Sequence, residues 1–379
     1  MKQIIYADNA ATTKLNKKAY EAMLPYLSEE YGNPSQAYSL SRASKSAIKA
    51  ARESIAKCIN AEPEEIFFTS GGTESDNWAI KGVAFGFDSK KAIITSCIEH
   101  HAILRSCEFL ERLGYPVAYL SVTNEGEVLP ETLERIITHN TGLVSVMYGN
   151  NEIGTIQPIK ELAAIAHKNG ALFHTDAVQA IGHVAIDVKE LGVDLLSASA
   201  HKFGGPKGVG FLYIKKGTNI VPYLNGGAQE HNHRAGTENV ASIVGMAVAL
   251  EESAANLSAI SYITELENQF YNELETNGLI EGKDYIRNGK ISAHLPGIIN
   301  VSFKGKDGEA IMHRLDLKGI MISTGAACDS VNTEVSHVIK AISVPDEYNQ
   351  GTIRISFNGD NSKEEVTILA DKLQDILSN

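Results

Sequence analysis

The stretch EIFFTSGGTESDNWAIKGVAFGF, residues 65–87, predicts the fold. Its first six residues are typical of a short buried strand, and the Gly71-Gly72 turn then opens a helix. Strand and helix patterns keep alternating in this way from about residue 62 to 215. Such alternation predicts an α/β fold, in which a mostly parallel mixed sheet is flanked by helices. Ligands bind sheets of this kind at the carboxyl ends of the strands.

The pattern changes after about residue 258, where helix-rich sequence leads to strands such as GIINVSF and GTIRISF. This change predicts a second, smaller α/β domain. A length of 379 residues also agrees with two domains. We therefore predict a large domain at residues 16–258 and a small domain formed by residues 1–15 and 259–379.

Composition narrows the classes of function. With 43% hydrophobic and 21% charged residues the chain reads as a globular protein, and its net charge of −12 argues against nucleic-acid binding. The N-terminal MKQIIYADNAATT lacks a signal-peptide core, and the longest apolar run, residues 240–250, is too short to span a membrane. Four cysteines without metal-ligand spacing fit a reducing compartment. We therefore expect a cytoplasmic protein with no membrane, nucleic-acid or metal partner.

Polar residues follow several of the predicted strands. Gly71-Gly72 opens a helix, which is a ready anion site but also ordinary turn chemistry. His100 alone is typical of a helix cap, whereas Asp176 ends a predicted central strand and needs a partner there. The stretch SASAHKFGGPKGVG, residues 197–210, adds Lys202 beside a glycine-rich turn.

Each of these signals is weak alone, but all of them converge on one edge of one sheet. Pyridoxal phosphate needs such a set: an anion site, a stacking ring, a carboxylate for the pyridinium nitrogen and a lysine for the Schiff base. The sequence therefore predicts a pyridoxal 5'-phosphate site at this edge.

The chain resembles the cysteine desulfurases, pyridoxal-phosphate enzymes related to the class V aminotransferases. The resemblance covers nearly the whole chain, in the same order, through YADNAATT, GNPSQAYS, TSGGTESDN, EHHAIL, GNNEIGTIQPI, HTDAVQAIG, SASAHKFGGPKGVG, RAGTENV and STGAACDS. It is closest to the branch that serves iron–sulfur cluster assembly and thio-modification. It implies a fold-type-I transferase that converts L-cysteine to L-alanine.

The resemblance assigns cofactor contacts residue by residue. Lys202 would form the Schiff base, His100 would stack on the pyridine ring and assist proton transfer, and Asp176 would pair with the ring nitrogen. Asn151 and Gln179 would contact the ring and its phenolic oxygen. The phosphate would be held by Gly72, Thr73, Ser199 and His201.

The resemblance also implies how substrate and subunits bind. Arg354, in GTIRISF, would bind the substrate carboxylate through its planar guanidinium, and Asn151 would also touch this carboxylate. Thr237, in RAGTENV, would reach the phosphate of the neighbouring subunit's cofactor. The protein would then be a homodimer with shared active sites.

Cys328 lies in ISTGAACDSVNTE, where small residues predict an exposed, flexible loop. A free cysteine is most often a small apolar residue, but the loop and the resemblance favour a catalytic thiol. In the implied reaction Lys202 removes the α-proton, and the Cys328 thiolate attacks the substrate sulfur. Alanine leaves, and a Cys328 persulfide passes to an acceptor protein, such as an iron–sulfur scaffold. The three other cysteines are predicted to be structural: Cys58, Cys97 and Cys107.

The chain departs from the family pattern at a few positions. Asp329 follows the cysteine where Ser or Thr is usual, and a carboxylate close to the thiol would raise its pKa. Gly72 stands where alanine is common, and His231 and His233 stand where less titratable residues are usual. Lys207 has no assigned role and is interpreted as a loop cation.

Two alternative functions remain at this stage. A related lyase acting on selenocysteine or another C–S bond would share the cofactor site, although a simple lyase has no need of Cys328. A non-catalytic scaffold for sulfur-transfer partners would need neither Lys202 nor Cys328.

Overall fold

The computed structural model describes residues 4–256, 260–324 and 335–378. The strands of these residues are β1 (Ile5–Tyr6), β2 (Ile66–Thr69), β3 (Ala92–Ser96), β4 (Val117–Leu120), β5 (Thr141–Ser145), β6 (Leu172–Asp176), β7 (Leu195–Ser199), β8 (Gly210–Ile214), β9 (Tyr285–Arg287), β10 (Ile298–Phe303), β11 (Ile320–Met321) and β12 (Thr352–Ser356).

The α-helices of the same residues are α1 (Lys17–Ser28), α2 (Ser41–Cys58), α3 (Gly72–Gly86), α4 (His101–Arg112), α5 (Pro130–Ile136), α6 (Ile159–Lys168), α7 (Val188–Leu191), α8 (Gln229–Asn232), α9 (Val240–Ala255), α10 (Ile260–Thr276), α11 (Gly308–Asp316), α12 (His337–Ala341), α13 (Asp346–Asn349) and α14 (Lys363–Leu377). Two short 3₁₀ turns, Pro63–Glu65 and Ala200–Lys202, precede β2 and follow β7.

The seven strands predicted between residues 62 and 215 form one sheet, in the order β2-β8-β7-β6-β5-β3-β4. Strands β4, β3, β5, β6 and β7 are parallel, and β8 runs antiparallel to both of its neighbours. The predicted mixed, mostly parallel sheet is confirmed. Because the parallel strands share one direction, their carboxyl ends meet at the same edge of the sheet.

Alternation along the strands divides the core between the two faces of this sheet. Phe68 and Phe211 are paired across β2 and β8 and enter one apolar cluster, whereas their neighbours Phe67 and Leu212 enter another. Successive side chains of a strand point to opposite faces. Both faces are therefore buried under helices, which explains the nearly continuous apolar runs of these strands.

Two smaller sheets lie outside this one. Strands β12, β10 and β9 form an antiparallel sheet in that order, and β1 pairs in parallel with β11. A third apolar cluster joins them with α10 and α14 and includes Phe270, Tyr285 and Leu373. Leu295 and Ile298 pack instead in the core of the large sheet. The domain limits at residues 15 and 258 stay a prediction.

Among the described residues, no single helix is both long and apolar enough to cross a membrane. By length and composition alone, the bent pair α9 and α10 meets that requirement together. Much of α9 is buried within the protein, at residues such as Ile243, Met246 and Leu250.

Candidate active site

A cavity of about 610 Å³ opens at the carboxyl edge of the large sheet. The strand-end residues and Arg354, which come from distant parts of the sequence, meet in its wall. The residues predicted from the sequence that line it are Gly72, Thr73, His100, Asn151, Asp176, Gln179, Ser199, His201, Lys202 and Arg354.

One end of the cavity is an anion cradle at the N-terminus of α3. Gly71 has a φ of 143°, in the region that favours glycine, and this conformation turns the chain from β2 into the helix. Gly210 must also stay small, since a Cβ there would lie 2.7 Å from the Gly71 Cα. The first amides of α3 and its dipole favour an anion here. Ser199 and His201 line the same cavity.

The packing around Gly72 explains why the chain has a glycine where alanine is common in the family. An ideal Cβ on Gly72 would lie 2.6 Å from Val178 Cγ2, which is closer than real Cβ contacts. An alanine at this position would therefore require Val178 to shift. Val178 follows Asp176 and lines the cavity, so the glycine fits this wall as it stands.

Lys202 belongs to the 3₁₀ turn that follows β7, and it is half-buried rather than fully buried. Its Nζ donates to the carbonyls of Ala10 and Ala11, at 2.6 and 3.1 Å. Carbonyl oxygens offset part of the cost of withdrawing the ammonium group from water. The amine is thus held in the cavity wall by a segment about 190 residues earlier in the chain.

Asp176 ends β6 and is buried. Its Oδ1 accepts the Val178 N–H at 2.9 Å. Burial raises the pKa of Asp176 to about 6, although this N–H and the Lys202 charge favour ionisation. A cationic partner in the cavity would lower this pKa again and stabilise the ionised form.

A second carboxyl group, that of Asp76, lies beside Asp176. Asp76 is on α3 and fully buried, and its Oδ1 has no hydrogen-bond partner among the described residues. Carboxylate oxygens of both aspartates and a ring nitrogen of His100 lie within 4.8 Å of one another. Burial and the Asp176 charge raise the pKa of Asp76 well above its usual range. Both effects favour the protonated, neutral form of Asp76 over the ionised form.

The fully buried His174 lies beside Asp76, with its Nε2 3.8 Å from the Asp76 Oδ1. Its two ring nitrogens are hydrogen-bonded to Ser145 Oγ at 2.9 Å and Ser197 Oγ at 3.0 Å. Complete burial lowers the pKa of His174 to about 3. The ring is therefore neutral, and it connects three neighbouring strands, β5, β6 and β7.

His100 has two roles that the sequence presented as alternatives. Its Nδ1 accepts the Ala102 N–H and caps α4, while the side chain also lines the cavity. Burial and then the Lys202 charge lower the pKa of His100 to about 4. The ring is neutral near pH 7 and can lie against an aromatic ligand without adding charge.

Asn151 and Gln179 line the cavity beside these groups. Gln179 is buried, and its Oε1 has no hydrogen-bond partner among the described residues. Such an oxygen is costly to bury unless a ligand donates a hydrogen bond to it. Asn151 lies in the turn between β5 and α6, and its backbone carbonyl accepts from Arg354.

Arg354 reaches the cavity from β12 of the three-stranded sheet. It is 2% exposed, and it donates from Nη1 to the Asn151 carbonyl and from Nη2 to Asp8 Oδ1, both at 2.9 Å. A buried guanidinium that faces a cavity is suited to a carboxylate ligand.

The structure adds wall residues that the sequence did not assign. Thr12 is hydrogen-bonded to His201 Nδ1 at 3.1 Å, and Lys207, interpreted as a plain loop cation, also lines the cavity. Burial, then Lys202 and Lys207, lower the pKa of His201 to about 4. Thr12 lies in the quoted motif YADNAATT, and Asp76 lies one helical turn after Gly72. These two positions are the features of the sequence that could have identified Thr12 and Asp76 as wall residues.

Thr237 is exposed and is not among the described residues that line this cavity. Its neighbour Arg234 forms a two-bonded ion pair with Glu74, at 2.8 and 3.1 Å, and Glu74 does line the cavity. The Thr237 segment is thereby attached to the mouth of the site.

Cys328 and Asp329 lie outside the described residues. On one side of that segment, Ser323 pairs through its backbone with Arg354. On the other side, His337 packs against the His101 ring at 4.9 Å and bonds to the Glu99 carbonyl at 3.0 Å. The first flank therefore pairs with Arg354 in the cavity wall, and the second contacts the residues on either side of His100, which lines the cavity.

The three described cysteines have environments that favour the protonated thiol. Burial raises the pKa of Cys58 and of Cys97, and it raises the pKa of Cys107 to about 12. A nucleophilic cysteine needs the opposite shift. This agrees with the structural role predicted for them.

Comparison with known proteins agrees with this geometry. The family model for class V aminotransferases matches residues 5–369. The cysteine desulfurase IscS of Dictyoglomus turgidum is 51% identical over 379 residues, covering 100% of this chain and 95% of that protein. The protein of the same name from Methanosarcina thermophila is 49% identical, covering 98% and 92%. The solved structure of a NifS-like protein aligns with a TM-score of 0.93 and 39% identity, covering 99% and 100%.

These matches extend along the whole chain, and the cavity holds the groups that a pyridoxal-phosphate enzyme requires. The chain therefore belongs to the class V aminotransferase family, and within it to the pyridoxal-phosphate-dependent cysteine desulfurases.

Proposed function

We propose that the cavity converts L-cysteine to L-alanine and that the sulfur leaves as a persulfide on Cys328. The observation that carries the proposal is the meeting of Lys202, Asp176, His100 and Arg354 in one wall. These groups supply an amine, a carboxylate, a neutral ring and a carboxylate receptor.

The residues fit pyridoxal phosphate. Its phosphate would bind the amides of Gly72 and Thr73 with Ser199 and His201, and its ring nitrogen would pair with Asp176. The phenolic oxygen would lie near Asn151 and Gln179. When bound, the cofactor withdraws electrons from the substrate α-carbon. Gln179 Oε1 has no hydrogen-bond partner among the described residues, and the pKa of Asp176 is raised. Both observations support a ligand that contacts these two side chains.

Lys202 would hold the cofactor and then move the proton. Its Nζ would accept the substrate α-proton once the substrate amine has taken its place. The Ala10 and Ala11 carbonyls, which now accept from Nζ, would keep the released amine at the cavity wall. His100 has a pKa of about 4 and is neutral. Because its Nδ1 accepts the Ala102 N–H, its Nε2 carries the ring hydrogen, so His100 would assist as a hydrogen-bond donor in the cavity.

Arg354 would orient the substrate by its carboxylate, and the Cys328 thiolate would attack the substrate sulfur. In that step the carbon–sulfur bond breaks, the sulfur–sulfur bond forms and the electron pair stays on the carbon fragment. Protonation of that fragment gives alanine. The flanks of Cys328 beside Arg354 and Glu99 support its access to the cavity.

The experiment follows the sulfur. After L-cysteine is added to the holoenzyme, mass spectrometry should find about 32 Da of added sulfur on the peptide that contains Cys328. The variant Cys328→Ala should bind cysteine but release no sulfide with a reductant, whereas the control Cys97→Ala should behave as wild type. Normal sulfide release by Cys328→Ala would remove this thiol from the reaction.

The family resemblance supports a homodimer in which Thr237 reaches the partner's cofactor phosphate. Its exposure and the Arg234–Glu74 pair at the cavity mouth support this role. Sedimentation should give a dimer, and Thr237→Ala should weaken cofactor binding although Thr237 does not line its own cavity.

The acceptor of the sulfur would be a protein of iron–sulfur cluster assembly or thio-modification, such as an iron–sulfur scaffold. Sparse cysteine usage supports a reducing, cytoplasmic location. Transfer of ³⁵S from the loaded enzyme to candidate acceptors would test the assignment.

A further inference from the structure

The guanidinium of Arg354 is held on one side and open on another. Nη1 and Nη2 donate to the Asn151 carbonyl and to Asp8 Oδ1, whereas the buried Nε–H has no partner among the described residues. Arg354 lines the cavity, and Asp8 is outside the set of described residues that do so. Asp8 thus contacts the guanidinium without forming part of the cavity wall.

Asp8 is itself fixed by the backbone. It forms a bridge with Ser356, and the flanking bonds Ser356 N–H to the Ala7 carbonyl and Ala10 N–H to Ser356 Oγ are both 2.8 Å. The Tyr6 hydroxyl donates to the Asp8 carbonyl at 3.0 Å. The Asp8 side chain is only 17% exposed. Its carboxylate is therefore preorganised beside β12.

The same short segment reaches the reactive amine. Two and three residues after Asp8, the carbonyls of Ala10 and Ala11 accept from Lys202 Nζ. Residues 8–11 therefore contact both the group suited to the substrate carboxylate and the group suited to its amino end.

We propose that Asp8 is a positioning residue for substrate binding: it holds Arg354 so that the free edge of the guanidinium faces the cavity, and its charge moderates the affinity for the substrate carboxylate. An ion pair that orients an arginine reduces the entropy lost when a second carboxylate binds. A nearby negative charge also opposes that second carboxylate. This inference rests on the proposed role of Arg354.

Two variants separate the effect of orienting Arg354 from the effect of the Asp8 charge. Asp8→Ala removes the acceptor, and we expect the KM for L-cysteine and the dissociation constant for L-alanine to rise about tenfold. The kcat should change less than about threefold, because Asp8 does not touch the reacting atoms. Asp8→Asn keeps an oxygen that accepts from Nη2 and removes the opposing charge, so its KM should fall below the wild-type value.

A carboxylate-free probe distinguishes this role from general damage. Cysteamine lacks the carboxylate of cysteine, so its inhibition constant should be the same in wild type and Asp8→Ala. Cofactor absorbance and melting temperature serve as folding controls, and the exposed Asp360→Ala controls for loss of one charge near β12. L-Alanine binding is measured from the change in visible absorbance of the holoenzyme.

The outcomes are decisive in either direction. An unchanged KM in Asp8→Ala, equal losses for cysteamine and cysteine, or a KM in Asp8→Asn at or above the wild-type value would overturn the inference. If Asp8→Ala does not fold, the KM of Asp8→Asn decides alone. Arg354→Gln separates the two levels: unchanged alanine binding there refutes the Arg354 assignment itself, whereas weakened binding there with a normal Asp8→Ala refutes only the role of Asp8.

Discussion

The seven-stranded sheet and the three-stranded sheet contribute to the cavity in different ways. The parallel strands β3, β5, β6 and β7 of the first sheet each end at the cavity edge, and the segments after them bring most of the wall. The antiparallel sheet offers one side chain, Arg354, from within β12. Parallel strands collect many loops at one edge, whereas antiparallel strands divide their loops between two edges.

The difference suggests a division of labour. In the proposed function, the large sheet would supply the cofactor contacts, and the small sheet would supply recognition of the substrate carboxylate. Damage to the first should change the cofactor spectrum, whereas damage to the second should change KM and leave that spectrum intact. Three variants test this division, and we expect their effects to decrease from Asp176→Ala through Arg354→Gln to Asp76→Asn.

Asp176→Ala tests the cofactor contacts proposed for the large sheet. Loss of the carboxylate leaves the pyridinium nitrogen without a partner, so we expect kcat to fall about 10²- to 10³-fold. The visible cofactor band should also shift or weaken. Absorbance and alanine formation are measured together. A variant with a normal spectrum and normal kcat would show that Asp176 does not contact the cofactor.

Arg354→Gln tests the substrate recognition proposed for the small sheet. Loss of charge-assisted hydrogen bonds to the substrate should raise KM about 10- to 100-fold, with a cofactor spectrum like wild type. Arg287→Gln is the matched control, since Arg287 lies in β9 of the same sheet and pairs with Glu281. A large spectral change in Arg354→Gln would break the proposed division.

Asp76→Asn sharpens the description of the large-sheet side. Because burial and the Asp176 charge favour the neutral form of Asp76, a neutral amide should keep kcat within about threefold and leave the pH profile of activity in place. Asp76→Ala is the matched cavity-forming variant and should cost more. A shifted pH profile in Asp76→Asn would mean that Asp76 carries charge in the native enzyme.

The buried Glu99 allows a test of how the stability of the protein depends on pH. Burial raises its pKa from 4.5 to about 8, although bonds from Ser96 and the Met147 N–H favour ionisation. Between those two values the folded state binds the extra proton, so its stability contribution is full below pH 4.5 and is lost as the pH rises to 8.

The matching experiment compares Glu99→Gln with the wild type by urea unfolding at pH 5 and pH 8.5. The variant should lose less stability across this range, by roughly a few kcal/mol. The exposed Glu131→Gln should follow the wild type. Parallel curves for wild type and Glu99→Gln would contradict the raised pKa.

Local pattern predicted the large sheet because each of its strands is a short apolar run bounded by turns. The same pattern placed His100, Asp176 and Lys202 at strand ends, and parallel topology then brings them together. Arg354 entered only through the family resemblance, because nothing in GTIRISF distinguishes it from a surface arginine.

Contacts between distant segments could not be predicted in this way. The pairing of Asp8 with Arg354 joins residues 346 positions apart, and it depends on how β1 and β12 are brought together. Asp76 reads as an ordinary polar residue on an amphipathic helix until the packing of α3 buries it beside Asp176. Lys207 and Gly208, a few residues after Lys202, also line the cavity, and the local sequence does not indicate this.

The central claim is that Lys202 is the reacting amine of this cavity, and Lys207 supplies its natural control. Both lysines line the same wall, five residues apart. The measurement is the visible absorbance of each purified variant, together with alanine formation from L-cysteine. Lys202→Ala should lose the pH-sensitive visible band and at least about 10³-fold in rate, while Lys207→Ala keeps both. Alanine formation at the wild-type rate by Lys202→Ala, or loss of the band in Lys207→Ala alone, would contradict the account.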